Sequence, residues 1–498
     1  MRITNKMMTN NLMSNINNNK NLLNTLDEQY STGKKIQRPS QDPIIAVRAL
    51  KLRTNLSELN QYYEKNIPDA RSWMNVSEEA LKNMNEILTK VNSSCVQGAD
   101  DHLTPSDRDS IAETLNEMKK QIYQEGNSNY AGRYVFTGYK TNSTMSFEEN
   151  VTKNYEITEE FTGKDIGALS KVNTKDAALP SALPGEIVPS VTNTHRLRLS
   201  YGDVDGMVGQ IKFTDDTKPV PVDLPGSPAA VNVISVNDAA AYKPAPGTIN
   251  LIKETGELII SDETPAGPSA VNLYDSMKNA AHITVTYSKS NFVEGDLQPE
   301  HYFNCVDKTD AAKPITYTQA DQQIQYEINF NQKLTVNTQG KDAFDQGIGR
   351  DIDEIISAVK DVQLTEKNIA DVKKQLEDKS LSQTQIDALN VRLTNLQTEQ
   401  KLKTDVMQDK FSKGILGSKN AQDKLNTAVA DLGTRSVRLN LTEDRLSSQQ
   451  VDFEELMSNN EDADIAETYI RLNSVQTLYT ASLNAAGKAV KTSLLDFL

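Results

Sequence analysis

The sequence predicts an α+β protein: a long-helix bundle, or coiled-coil rod, formed by both chain ends, with an all-β outer domain inserted between them. Three observations carry that expectation. Apolar residues at both ends recur every three or four positions, the period of one face of a helix. The middle, residues 142–349, holds most of the 17 prolines and several short runs in which apolar and polar residues alternate. Charged residues make up 24% of the 498-residue chain and aromatics 6%, a balance that suits long solvated helices.

The first helix is read from Met8, Leu12, Ile16, Leu23, Leu26 and Tyr30. Asparagine, a poor helix former, fills much of the remainder, so this helix is marginal until its apolar stripe finds a partner. A joint follows in "YSTGKKIQRPSQDP", residues 30–43. Gly33 can adopt positive φ and close a helix. Pro39 and Pro43 lack an amide hydrogen and disfavour helix at the residue before them. Asp42 then reads as the N-cap of a helix with Pro43 in its first turn. These four residues, Gly33, Pro39, Asp42 and Pro43, are the expected interdomain hinge. The stretch is not a phosphate-binding loop: Lys35 stands where Ser or Thr belongs, and Glu28 where the first glycine belongs. Lys34, Lys35 and Arg38 either contact acidic neighbours or stand in solvent.

Ile45, Ala49, Leu52, Leu56, Leu59 and Tyr63 predict the next helix, and Leu81, Met84, Leu88 and Val91 its continuation. Pro68 should kink or restart it, because an internal proline removes a backbone bond and clashes with the preceding turn. Thr104-Pro105 predicts a fresh helix start. The runs "HRLRLSY", "GQIKFTD", "GELIISD", "AHITVTYS", "QIQYEINF" and "QKLTVNT" predict strands separated by Pro/Gly turns. From residue 350 the helical period returns, through Ile352, Ile355, Val359 and Val362 and later Leu425, Val429 and Leu432. The last helix carries Ile465, Tyr469, Leu472, Val475, Tyr479, Leu483, Ala486, Val490, Leu494 and Phe497. Residues 1–41 with 465–498 are therefore expected to form a terminal helical assembly domain, 42–141 with 350–464 a helical rod, and 142–349 the outer β-rich domain.

Composition narrows the function. A net charge of −15 argues against nucleic-acid binding. No apolar run is long enough for membrane insertion, and the N-terminal residues lack the apolar core of a secretory signal. Cys95 and Cys305 are far apart, and the four histidines fall in no metal-binding spacing, so no cofactor is expected. "YGDVDG", residues 201–206, lacks the spaced oxygens and closing glutamate of a calcium loop and reads as a solvated turn.

Four motifs share one resemblance. They are "STGK" with "PSQDP" near the N-terminus, "GRYVFTGYKT" at 132–141, "DLGTRSVRLN" with "EDADIAETYIRLN" at 431–473, and the terminal "SLLDFL". In order and content they resemble the hook-associated branch of the flagellin superfamily, over roughly residues 1–141 and 425–498. The resemblance implies a structural subunit at the junction of flagellar hook and filament, with no enzymatic activity. It implies type III export without a cleaved signal, and terminal helices that order on assembly. The implied partners are copies of the chain itself, a neighbouring hook-associated protein, flagellin and an export chaperone. A filament flagellin is the alternative. An enzyme carried on a flagellin scaffold is a weaker one, since the metal motif it needs is missing. Residues 364–411 are longer than the family's usual helix and read as an extra coiled-coil hairpin turning near Asp378-Lys379-Ser380. The expected assembly positions are Leu12, Leu23, Leu26, Leu472, Val475, Leu483, Val490 and Leu494, which could equally form an intramolecular core; a thin bundle can use two faces for both.

Overall fold

The apolar periods at the two ends become long helices in a computed structural model, which describes residues 5–100, 102–172, 189–216, 220–238, 240–267, 271–378 and 380–495. The helices are α1 (Asn5–Thr32), α2 (Pro43–Gln61), α3 (Ile67–Gly98), α4 (Pro105–Gly126), the short α5 (Leu273–Met277) and α6 (Gly340–Ala343), α7 (Gln346–Leu376), α8 (Gln383–Glu461) and α9 (Ile465–Leu495). Contacts divide the chain into two compact units. One comprises Met1–Ala70, Tyr326–Leu334 and Val437–Leu498; the other comprises Arg71–Gln325 and Thr335–Ser436.

In the first unit α1 lies along α9. Ile16, Leu26 and Val475 are buried in this pair, each such side chain contributing roughly 1.5–3 kcal/mol. Asn19 Nδ2 donates to Ser482 Oγ at 3.1 Å, and the rings of Tyr30 and Tyr469 meet at 5.6 Å. α2 passes into α3 through a π-turn at Tyr62–Asn66, in which the Ile67 amide donates to the Tyr62 carbonyl. Pro68 sits just beyond. It cannot donate back along the ladder, and the wider turn supplies the slack its ring needs, so the kink takes the form of a π-turn.

"QIQYEINF" and "QKLTVNT" form a separate two-stranded hairpin, Gln325–Asn329 with Gln332–Thr335. Its tip, with Asn331 at φ +53°, belongs to the first unit. There Asn66 Nδ2 donates to the Glu327 carbonyl at 2.8 Å, and Arg445 Nη2 to Gln332 Oε1 at 3.1 Å. Alternation identifies a strand but not the sheet it joins.

The second unit holds a β-sandwich. One sheet has five strands in the order Gly167–Val172, Val191–Arg198, Glu257–Ile260, Ile249–Ile252, Val231–Ile234, the last two parallel. The other is built around the long strands Val151–Phe161 and His282–Phe292. Leu197, Leu258 and Ile260 from the first sheet share one core with Tyr155, Ile157, Ile283 and Tyr287 from the second. Helix α4 starts with a capping box between Thr104 and Asp107. Helix α7 ends at Leu376 and α8 begins at Gln383, and near these ends Ile369, Val372 and Leu396 are buried together; Lys379, in the expected hairpin turn, lies outside the described residues.

The polar face of "HRLRLSY" is largely covered. Arg196 pairs with Glu257 on the neighbouring strand and lies 2.8 Å from Glu354 of α7. Arg198 lies 2.7 Å from Asp351 and 2.6 Å from Glu354, and Lys410 of α8 reaches Glu354 at 2.5 Å. This buried network joins the five-stranded sheet to α7 and α8. Burial pushes the Glu354 carboxyl up, but Arg196, Arg198 and Lys410 outweigh it and hold the group below the usual carboxylate range.

Candidate assembly surface

The joint at residues 33–42 is built from local chemistry. Gly33 takes φ +67°, and its amide donates to the Gln29 carbonyl at 2.9 Å, ending α1. No atom lies within 4 Å of where its Cβ would stand, so the need for glycine is a backbone one. The Asp42 side chain accepts from the amides of Ile44 and Ile45 at 2.9 and 3.2 Å, capping α2. At the other end of the unit Asp464 caps α9 in the same way, accepting from Ala466 and Glu467.

These two joints are tied to each other. The Lys35 amide donates to the Glu461 carbonyl at 2.7 Å, and the Ala463 amide to the Gly33 carbonyl at 2.8 Å. Lys34 Nζ sits 2.5 Å from Asp462 Oδ1 and 3.6 Å from Glu461. Lys35 Nζ donates to the Asn459 carbonyl. Arg53 of α2 grips the buried Glu461 carboxylate with two nitrogens, at 2.8 and 2.5 Å. Of the two readings open for the lysines, contact with acidic neighbours therefore holds for Lys34. Its hydrogen bond keeps the Asp462 carboxyl below the usual range, and the same bond raises the Lys34 ammonium.

The expected assembly positions separate into two sets. Leu26 and Val475 are buried in the α1–α9 seam, and Leu12, Leu23 and Leu472 are half-buried there. Leu483 is 45% exposed. Val490 and Leu494 fall in α9, but their side chains lie outside the described residues. The stripe residues Met8, Ile465 and Tyr469 are exposed as well, and further apolar surface belongs to residues the sequence reading passed over: Met13 and Leu22 on α1, and Ile470 (65% exposed) and Leu478 (58%) on α9. Leu22 directly precedes the seam residue Leu23, a rotation of about 100° around the helix. A count along a single stripe assigns such positions to the polar face; a search for a second apolar stripe finds them. On α2, Ile44, Val47 and Leu50 are exposed at three-residue steps, while Ala46 and Ala49 face inward. Isolated exposed apolar residues are ordinary, but this many on so few helices make a candidate interaction surface.

Residues 3–141 match the family model for the bacterial flagellin N-terminal helical region, and residues 417–498 that for the C-terminal helical region. Both helical ends of the chain are thus similar to the flagellin superfamily. Among curated proteins it is similar to the flagellar hook-associated protein 3 of Salmonella typhimurium, with 33% identity over 28% of this chain and 44% of that protein. It is also similar to the flagellin of Clostridium tyrobutyricum, with 30% identity over 26% of this chain and 34% of that one. The chain thus spans less than half the length of the curated relatives it matches. A solved flagellar junction protein from Legionella pneumophila aligns at 9% identity and a TM-score of 0.27, covering 84% of this chain and 100% of that one.

The internal motifs have a structural job. "NYAGRY" is a hairpin, Asn129–Tyr130 with Arg133–Tyr134, turning through Ala131 (φ +51°) and Gly132 (φ +78°). It sets the Arg133 guanidinium 5.0 Å over the buried Trp73 ring. Phe136 packs edge-on against Phe344 at 5.0 Å. In "DLGTRS", Arg435 pairs with Asp431 and donates to the Asn337 carbonyl at 2.8 Å. The "YGDVDG" turn places Asp203 at φ +50°, and Asp205 accepts from Ser290 Oγ at 2.9 Å.

Proposed function

We propose that this protein is a structural, non-enzymatic subunit of the bacterial flagellum at the junction between hook and filament. The observation that carries this reading is the 33% identity to a hook-associated protein, together with the "GRYVFTGYKT" motif of that branch. In this reading residues 1–41 with 465–498 form the assembly domain, 42–141 with 350–464 the rod, and 142–349 the outer domain. The exposed apolar residues of α1 and α9 pack against copies of the chain, a neighbouring hook-associated protein and flagellin. Gly33, Pro39, Asp42 and Pro43 are the hinge between assembly domain and rod. The chain leaves the cell by flagellar type III export, aided by a chaperone, without a cleaved signal.

Quantitative mass spectrometry of sheared flagella tests the position. A junction subunit is present at a small fraction of the flagellin copy number, and its loss leaves hooks that shed unpolymerised flagellin. The similarity to the Clostridium flagellin supports a second reading, as filament subunit; finding this chain as the bulk protein of the filament would establish that reading and end the first.

A further inference from the structure

The second unit contains a cavity of about 460 Å³ between the sandwich and the start of α7. That volume is in the range of small-molecule sites. Its lining departs from the character of the chain. In a protein of net charge −15, four cations, Arg198, Lys341, Arg350 and Lys424, converge on this space with only Asp165 and Asp345 as acids. Both acids are engaged locally: Asp165 accepts from Thr162, and Asp345 from the Gly347 amide. Lys424 has no carboxylate within ion-pair distance among the described residues; it donates to the Phe344 carbonyl at 3.3 Å. Arg350 and Gln346 also line the cavity, and Arg350 Nε and Gln346 Nε2 are buried with no hydrogen-bond partner. Buried donors of this kind ordinarily have an acceptor. The wall also carries aromatic rings, among them half-buried Phe161 and Phe303. A smaller cavity of about 50 Å³ adjoins it, sharing Ser200, Gln346 and Arg350.

Arg198 is already paired with Asp351 and Glu354, and Lys341 lies 3.3 Å from Asp321. Lys424 without a carboxylate, the unsatisfied donors of Arg350 and Gln346, and flat apolar walls select one ligand chemistry. We propose that this cavity is a binding site for a small aryl anion, an aromatic ring bearing a carboxylate, sulfate or phosphate. The anionic group sits among Lys341, Lys424 and Arg350, where charge-assisted hydrogen bonds are strongest. The ring lies against Phe161 and Phe303. This site involves neither terminal helix and is independent of the junction reading.

Isothermal titration calorimetry of the full chain with phenyl phosphate, and separately with inorganic phosphate, tests it. The expected result is saturable one-site binding of phenyl phosphate, at least tenfold tighter than phosphate. The double variant Lys341→Gln/Lys424→Gln should weaken it at least tenfold with an unchanged far-UV circular dichroism spectrum and melting temperature. Three results overturn the proposal: no saturable binding, equal affinity for phenyl phosphate and phosphate, or unchanged affinity in a double variant that folds normally. Should that variant fold poorly, Phe161→Leu provides the second test, with loss of the preference for phenyl phosphate expected.

Discussion

At the scale of single residues, Lys34 and Gly138 show what a motif letter does physically. Lys34 sits in "TGKK", and its ammonium closes the joint on Asp462. The folded-state pKa of Asp462 is depressed, so the pair contributes stability above the carboxyl's unfolded pKa and loses it as pH falls through the folded value. Hydrogen exchange at the Lys35 and Ala463 amides, corrected for intrinsic rates, should therefore speed up below about pH 4. Asp462→Asn should remove that acid dependence. Gly138, in "VFTGYK", takes φ +62°, and a Cβ there would collide with the Gln322 side chain that accepts from the Tyr139 amide. Gly138→Ala should cost about 1–2 kcal/mol in urea unfolding; an unchanged midpoint would refute this account of the motif. The glycine was visible in the sequence, but its partner, 184 positions on at Gln322, was not, since no local pattern encodes that separation.

At the scale of elements, the strand "HRLRLSY" and the helices α1 and α9 separate what a period can and cannot reveal. Period-2 alternation placed Leu197 in the core, yet gave no sign that Arg196 and Arg198 face half-buried carboxylates on α7. Glu354→Ala would leave Arg196, Arg198 and Lys410 without their shared anion, and should cost about 3–5 kcal/mol by denaturant unfolding. The Glu354 pKa is depressed, so its contribution is present above the unfolded value and is lost in acid; the wild type and Glu354→Gln should converge in stability as pH falls through the folded value. On α1 and α9, the stripe positions Leu26 and Val475 are seam, while Leu22, Ile470 and Leu478 are exposed. Leu22→Ser/Ile470→Ser/Leu478→Ser should leave the helicity of the monomer intact and block co-assembly, measured by sedimentation with purified flagellin. Leu26→Ala should instead lower the stability of the α1–α9 pair by about 2–5 kcal/mol. Equal effects of the two variants on monomer and assembly would show that the two faces are not distinct.

At the scale of the whole molecule, the chain leaves with one helix and returns with another, so removing either end exposes the seam of its partner. Deleting residues 488–498 should leave a soluble, exported protein that no longer joins hook to filament; normal filament growth would refute the role of the tail. The helical ends and the inserted β region could be read from sequence because long amphipathic periods and Pro/Gly-punctuated alternation are local properties of the chain. So could the helix starts at Asp42 and Thr104, since a capping side chain bonds amides only two or three residues away. The resemblance to the flagellin superfamily followed from short motifs, because their order along the chain does not depend on packing. Tertiary structure decided which face of each helix is seam and which is free, that the Gln325–Thr335 hairpin leaves the sandwich, and that four cations gather around one cavity in an acidic protein. Those features depend on residues tens to hundreds of positions apart meeting in space, and burial, pairing and charge convergence are properties of that meeting rather than of any stretch of sequence.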